Sequence, residues 1–196
     1  MIPLIITILT IISNIFNNIK NISDDYKLPF TPAPITFSIW GGIYGMLLYC
    51  SYMYPDQFDN IMLLYGISAV LNAMWIQVWG KNLLLSSLIL IALASILIYI
   101  VTKITDNDII KIVFTIYATW VAIACLLNLA ILLKQYIHTD ILKYIILILL
   151  TSSPLLTKNI YVLIVIIWAS LGIILNNNIE FIIPIICSII RLLTNN

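Results

Sequence analysis

Charge is scarce in this chain. Only 9% of its 196 residues are Asp, Glu, Lys or Arg, against about a quarter in soluble domains. Apolar residues make up 63% and the mean hydropathy is +1.13, which excludes a water-soluble globular fold. The nine Lys and Arg stand singly between apolar runs and the net charge is +1, so there is no basic patch for nucleic acid. Histidine occurs once, as His138 beside Thr139 and Asp140, in a polar connection where a solvated side chain is expected. The three cysteines, Cys50, Cys125 and Cys187, sit inside apolar runs with neither disulfide nor metal spacing, and they read as small buried hydrophobes. No grouping of His, Cys, Asp and Glu suits a metal and no glycine-rich loop suits a phosphate. With no nucleophile and no acid–base pair in view, neither an enzyme nor a bound cofactor is expected.

What the chain does have is apolar length. Stretches of roughly 20 residues recur with short polar connections, the pattern of a polytopic membrane protein with no room for a separate soluble domain. Candidate spans are about Ile2 to Ile19, Ile35 to Tyr54, Ile61 to Gly80, Leu83 to Ile104, Ile109 to Leu133, Ile141 to Leu156, Ile160 to Leu175 and Ile179 to Leu193. The expected fold is an all-α integral membrane bundle of seven or eight transmembrane helices, in contact with the lipid bilayer. In the sixth span Lys143 has to snorkel, and in the eighth Glu180, Pro184 and Arg191 leave a short apolar piece that crosses a thin region or lies in the interface. The first run lacks a basic leader and a cleavage site and is expected to be a retained helix. All eight acidic residues fall outside the confident spans, which argues against a proton- or sodium-driven pump. With eight spans, Lys20, Lys27, Lys81, Lys134 and Lys143 share one side and Lys103, Lys111, Lys158 and Arg191 the other, a near balance that leaves orientation open.

The chain is organised around Phe30-Thr-Pro-Ala-Pro-Ile-Thr-Phe-Ser-Ile-Trp-Gly-Gly-Ile-Tyr44. Pro29, Pro32 and Pro34 remove backbone donors and favour extended geometry, so a helix can begin only after them. From there Phe37, Trp40 and Tyr44 recur at helical spacing. The polar connection Lys20 to Thr31 is the candidate lid. Two more stripes follow, Asn72, Trp75 and Trp79 on the third span, then Tyr117, Trp120, Ala124 and Asn128 on the fifth. Such stripes offer flat apolar walls with an indole or amide to orient a guest. Their other readings are an interfacial aromatic belt, above all for Trp79, interior packing for Trp120 and Trp168, and helix–helix hydrogen bonds for the two Asn. Gly41, Gly42 and Gly45 admit a close backbone, either in a homodimer or from a neighbouring helix of the same chain. The Ile and Asn abundance, as in Asn176-Asn177-Asn178, is the signature of an AT-rich coding sequence, and little weight rests on those types.

At these motifs the chain resembles the translocator protein family, the tryptophan-rich sensory proteins of the TspO/MBR type. Phe30-Thr-Pro-Ala-Pro with Phe37, Trp40 and Tyr44 is similar to the family's Trp-x-Pro-Pro loop and following aromatic helix, Asn72-Ala-Met-Trp75 to its Asn-x-x-Trp, and Trp120, Ala124 and Asn128 to its fifth helix. Phe30 in place of the loop tryptophan, Ala33 in place of a proline, and Val165-Ile-Ile-Trp168-Ala-Ser-Leu-Gly172 look like a longer tryptophan-rich branch with extra C-terminal helices. The resemblance implies a five-helix core over residues 1–135 and appended membrane helices over 136–196 of the same domain. It also implies a cavity for a hydrophobic small molecule, a porphyrin or sterol, that the protein binds, transports or senses. Phe37, Trp40, Tyr44, Asn72, Trp75, Trp120, Ala124 and Asn128 would line that cavity, and Pro32, Ala33 and Pro34 would stiffen the loop over it. The competing classes are a carrier without ion coupling and a structural membrane protein with no ligand.

Overall fold

The computed structural model describes residues 1–15, 26–105 and 109–194. The end of the first expected span, most of the candidate lid, and Lys20, Asp24, Asp25, Asp106 and Asp108 lie outside them. Eight α-helices occur among the described residues: α1 Ile2–Ile15, α2 Ile39–Met53, α3 Met62–Val78, α4 Leu83–Lys103, α5 Ile109–Leu133, α6 Thr139–Leu156, α7 Ile160–Ile174 and α8 Ile182–Leu193. No strand is present among those residues, so the fold is all-α. Four stretches are long and apolar enough to cross a membrane: Pro55–Val78, Leu83–Lys103, Ile109–Leu133 and Thr139–Leu156. Leucine and isoleucine side chains stand exposed along these helices, as a lipid-facing surface requires.

Helix ends follow local chemistry. Asn82 caps α4 through the Leu85 amide, and Asn159 caps α7 through those of Tyr161 and Val162. Gly80, at φ 81°, turns the chain after α3. His138 is the N-cap of α6, its Nδ1 accepting from the Asp140 amide at 3.4 Å with the ring exposed. The second span starts later than the sequence pattern suggests. Pro34–Ser38 forms a 3-10 turn and α2 begins at Ile39, so Phe37 sits on the turn and not on the helical face of Trp40 and Tyr44.

The chain forms two compact units. The first comprises Met1–Tyr26 and Ile39–Cys125; the second comprises Lys27–Ser38 and Leu126–Asn196. In the first, α1 packs on α2 and α3, and α3 on α4. Its centre holds Phe58, Tyr65 and Phe114, with ring centroids 5.1 to 6.3 Å apart. The Tyr65 hydroxyl meets Thr7 Oγ1 at 2.6 Å, and that Thr7 oxygen also donates to Ser51 Oγ at 3.2 Å. Polar groups of three helices are thus matched without charge inside an apolar interior.

In the second unit α8 packs against both α6 and α7. Lys143 Nζ, one turn into α6, pairs with Glu180 at 2.6 Å, and Arg191 Nε donates to the Thr157 carbonyl at 3.2 Å beyond the other end of α6. These two ties set α8 parallel to α6. With 12 residues α8 is about 18 Å long, too short for a hydrocarbon layer of about 30 Å. Its polarity is inverted relative to a surface helix of a water-soluble protein. Pro184 and Ser188 are buried, while Ile182, Ile183, Ile186, Ile189 and Ile190 face outward.

Candidate functional site

Within the first unit the aromatic stripes meet. Trp40 stacks on Tyr44 of its own helix at 5.5 Å, faces Trp75 of α3 at 6.0 Å, and meets Tyr117 of α5 edge-on at 5.8 Å. Trp75 is followed at 6.2 Å by Trp79, the residue that caps the end of α3. Trp40, Trp75 and Trp79 therefore form a row of indoles, each half-buried, on a base of buried Tyr117. Edge and offset contacts of this kind are favoured by the ring quadrupoles and hold the wall in shape.

Asn72 locks the wall from behind. Its side chain is wholly buried. Its Oδ1 accepts from Asn14 Nδ2 at 2.9 Å and from the Tyr44 hydroxyl at 3.1 Å, and its Nδ2 donates to the Tyr117 hydroxyl at 2.8 Å. One amide thereby ties α1, α2, α3 and α5, which a buried polar group achieves only when every arm is matched. The Trp75 Nε1 is different: it is buried and, among the described residues, has no hydrogen-bond partner. An indole N–H can only donate. Among the described residues no three His, Cys, Asp or Glu side chains are placed to hold a metal.

Of the expected lining set, Trp40, Tyr44, Asn72 and Trp75 come together in this way. Trp120 and Ala124 lie on α5 one and two turns beyond Tyr117, with Trp120 fully buried. Phe37 and Asn128 belong to the second unit, Phe37 being 40% exposed on the 3-10 turn and Asn128 buried. A groove of about 600 Å³ between α1 and α3, lined by Ile6, Thr10, Gly66 and Ala73 among others, holds none of the expected residues. Asn14 and Tyr117 are site residues the expected set omits. Tyr117 stood in the α5 stripe, whereas an amide late in α1 had nothing beside it in sequence to mark it.

In the second unit the proline segment is a strap laid along α7. Trp168 Nε1 donates to the Thr36 carbonyl at 2.8 Å, the Ala33 amide to the Gly172 carbonyl at 2.8 Å, Asn176 Nδ2 to the Thr31 carbonyl at 2.7 Å, and Asn178 Nδ2 to the Pro29 carbonyl at 2.7 Å. The strap turns at Pro29–Phe30, where the Thr31 amide donates to the Leu28 carbonyl at 3.0 Å, and again from Pro34, so its stiffness is not that of one extended run. Because Pro29, Pro32 and Pro34 have no N–H, the segment carries more acceptors than donors, and donors come from Trp168 on α7 and from Asn176 and Asn178 in the turn after it. Asn177, at φ 65°, takes the left-handed turn that asparagine tolerates, and the amides on either side of it reach the strap. Thr36 crosses α7 at Gly172, where any larger residue would collide with it.

The chain matches the family model described as TSPO-like protein over residues 1–194. No curated protein and no solved structure matches it. An all-helical bundle with four membrane-length apolar stretches, tryptophan stripes joined through one buried amide, and a family match that runs nearly end to end agree on one assignment: the chain belongs to the TSPO-like protein family and is a multi-pass integral membrane protein.

Proposed function

We propose that the indole row of the first unit binds a flat, apolar small molecule of the tetrapyrrole or sterol class. The observation that carries this is the row itself. Three half-buried indoles with ring centroids 6.0 and 6.2 Å apart form a continuous apolar surface. A row serving only as core packing would be fully covered, whereas each of these indoles is partly exposed. A flat guest laid on the row removes apolar surface from water or lipid headgroups and stacks on at least two rings.

The test is quenching of tryptophan fluorescence by protoporphyrin IX in detergent-solubilised protein, with inner-filter correction. Saturable quenching at micromolar concentrations, weakened about tenfold or more by Trp40→Leu, supports binding at the wall. Quenching that rises linearly and ignores the substitution means partition into the micelle and refutes it.

We further propose that the glycine face of α2 seats a second copy. A Cβ at Gly41, Gly42 or Gly45 meets no described atom within 4 Å, which leaves their close-approach surface free of the chain's own helices.

A further inference from the structure

We infer that the outer face of α6 and α8 is a docking surface for phospholipids with short acyl chains, around which the bilayer thins to about 20 Å of hydrocarbon. The partner is set by the height between the polar ties at the two ends of this helix pair. At one end Lys143 Nζ lies 2.6 Å from Glu180; at the other Arg191 Nε donates to the Thr157 carbonyl, with the exposed Lys158 next in the chain. The rise along α6 from Lys143 to Thr157 is about 21 Å, and along α8 from Glu180 to Arg191 about 17 Å. A hydrocarbon layer of about 30 Å would engulf one tie or the other. By length alone α6 crosses such a layer, but only if the turn carrying Lys143 enters it. The lysine cannot snorkel outward while Glu180 holds its ammonium. Drawing the pair into lipid costs more in desolvation than the attraction returns, so it is the layer that yields.

The third helix of the unit gives an independent height. The 15 residues of α7 rise about 22 Å, and from Trp168 onward the proline strap lies along them. That strap is not helical, and Pro29, Pro34 and Ile35 on it are exposed. Irregular backbone at hydrocarbon depth is tolerated only inside protein or beside a water-filled cavity. The strap therefore marks headgroup level, at the end of α7 that leads to Glu180. Between the two polar levels the outward side chains include Ile145 and Ile148 of α6 and Ile182, Ile186, Ile189 and Ile190 of α8. Helices that associate in lipid approach one another through small residues. On α8 the serine, Ser188, is turned inward and the outward positions are branched isoleucines, a surface for acyl chains and not for a second helix.

The experiment reconstitutes the full chain in dibrominated dioleoyl phosphatidylcholine, with unbrominated dimyristoleoyl, dioleoyl or dierucoyl phosphatidylcholine as competitor. Quenching of a reporter tryptophan, after subtraction of the parent's emission, reads which lipid lies against it. Ile186→Trp reports from α8. Ile91→Trp reports from the exposed side of α4, whose 21 residues rise about 31 Å. At residue 186 the short dimyristoleoyl lipid should bind about threefold or more tightly than dioleoyl, and dierucoyl more weakly than either; at residue 91 dimyristoleoyl and dioleoyl should agree within about 1.5-fold. Lys143→Leu with Glu180→Leu removes one polar level and should bring the short-chain advantage at residue 186 below about 1.5-fold. Arg191→Leu removes the other level, and it carries the test if the double variant does not fold. The inference is overturned if dioleoyl or dierucoyl is preferred at residue 186, if residue 91 shows the same short-chain advantage, or if that advantage survives loss of the ties. A reporter at residue 186 that brominated lipid does not quench also overturns it, because protein and not lipid would then cover the face.

Discussion

Gly172→Ala isolates the hold of α7 on the strap. An added Cβ would stand 2.6 Å from Thr36 Cγ2 and 2.8 Å from Thr36 Cβ, and it would also strike Thr36 Oγ1. These atoms cannot rotate clear as a flexible tip would, because the Cβ is fixed to a backbone whose carbonyl is held by Trp168. The strap must lift, parting Ala33 N from Gly172 O and Trp168 Nε1 from Thr36 O, both 2.8 Å bonds. Two bonds at about 1 kcal/mol each, with a buried Ala33 amide left short of a partner, cost about 2–4 kcal/mol. Alanine in a helix interior returns about 1 kcal/mol relative to glycine. The net is about 1–3 kcal/mol against the docked strap, so its amides should exchange about 5- to 150-fold faster. Hydrogen–deuterium exchange of peptides covering 28–38 reads this directly. Gly41→Ala is the control, since its Cβ meets nothing within 4 Å and the strap should be unaffected. In a Thr36→Gly background the three colliding atoms are gone, and Gly172→Ala should no longer speed exchange. Exchange in the strap that stays at the parent rate, or slows, in Gly172→Ala alone would refute the account of a fixed strap.

Asn72→Ala removes the shared partner of Asn14, Tyr44 and Tyr117. It should destabilise the detergent-solubilised protein by about 2–4 kcal/mol, read as an earlier thermal transition in near-ultraviolet circular dichroism. The Lys143 ammonium donates to Glu180 and holds its carboxyl below the ordinary carboxylate range. Because the folded carboxyl is the more acidic, the contribution of the pair is complete above the unfolded value of about 4.3 and is lost as pH falls through the lower folded value. With Glu180 29% exposed the effect stays below about 1 kcal/mol. Glu180→Gln should abolish that part of the acid-dependent fall in melting temperature. Gly45→Ile should lower the dimer fraction in single-molecule photobleaching, and an unchanged count would remove the second copy from this face.

The fold was largely legible in hydropathy, because a membrane imposes helices of known length wherever charge is missing. Boundaries were less so. The 3-10 turn at Pro34–Ser38 shifts α2 to Ile39 and takes Phe37 off the stripe, a rearrangement that a 3.6-residue repeat cannot report. Trp40 and Tyr44, and Asn72 and Trp75, were readable as stripes because helical spacing puts each pair on one face, and the two faces meet. The strap's partners were not readable. Asn176 and Asn178 look like compositional noise until their amides are seen on Thr31 and Pro29. A signal was nevertheless present. A segment depleted of donors by three prolines needs them from elsewhere, and Trp168 with the asparagines forms a run of donors near the end of an otherwise apolar helix.

The strap also imposes an order on biogenesis. Its side-chain anchors lie 132, 145 and 149 residues downstream of the carbonyls they hold. At about 5–20 residues per second, the ribosome needs about 7 to 30 seconds after making the strap to deliver these anchors. Throughout that interval the proline segment has none of these partners, and a chain halted after α5 could never acquire them. Docking of residues 29–36 is consequently a late, long-range closure, and its completion reports that α7 and the turn after it have been made.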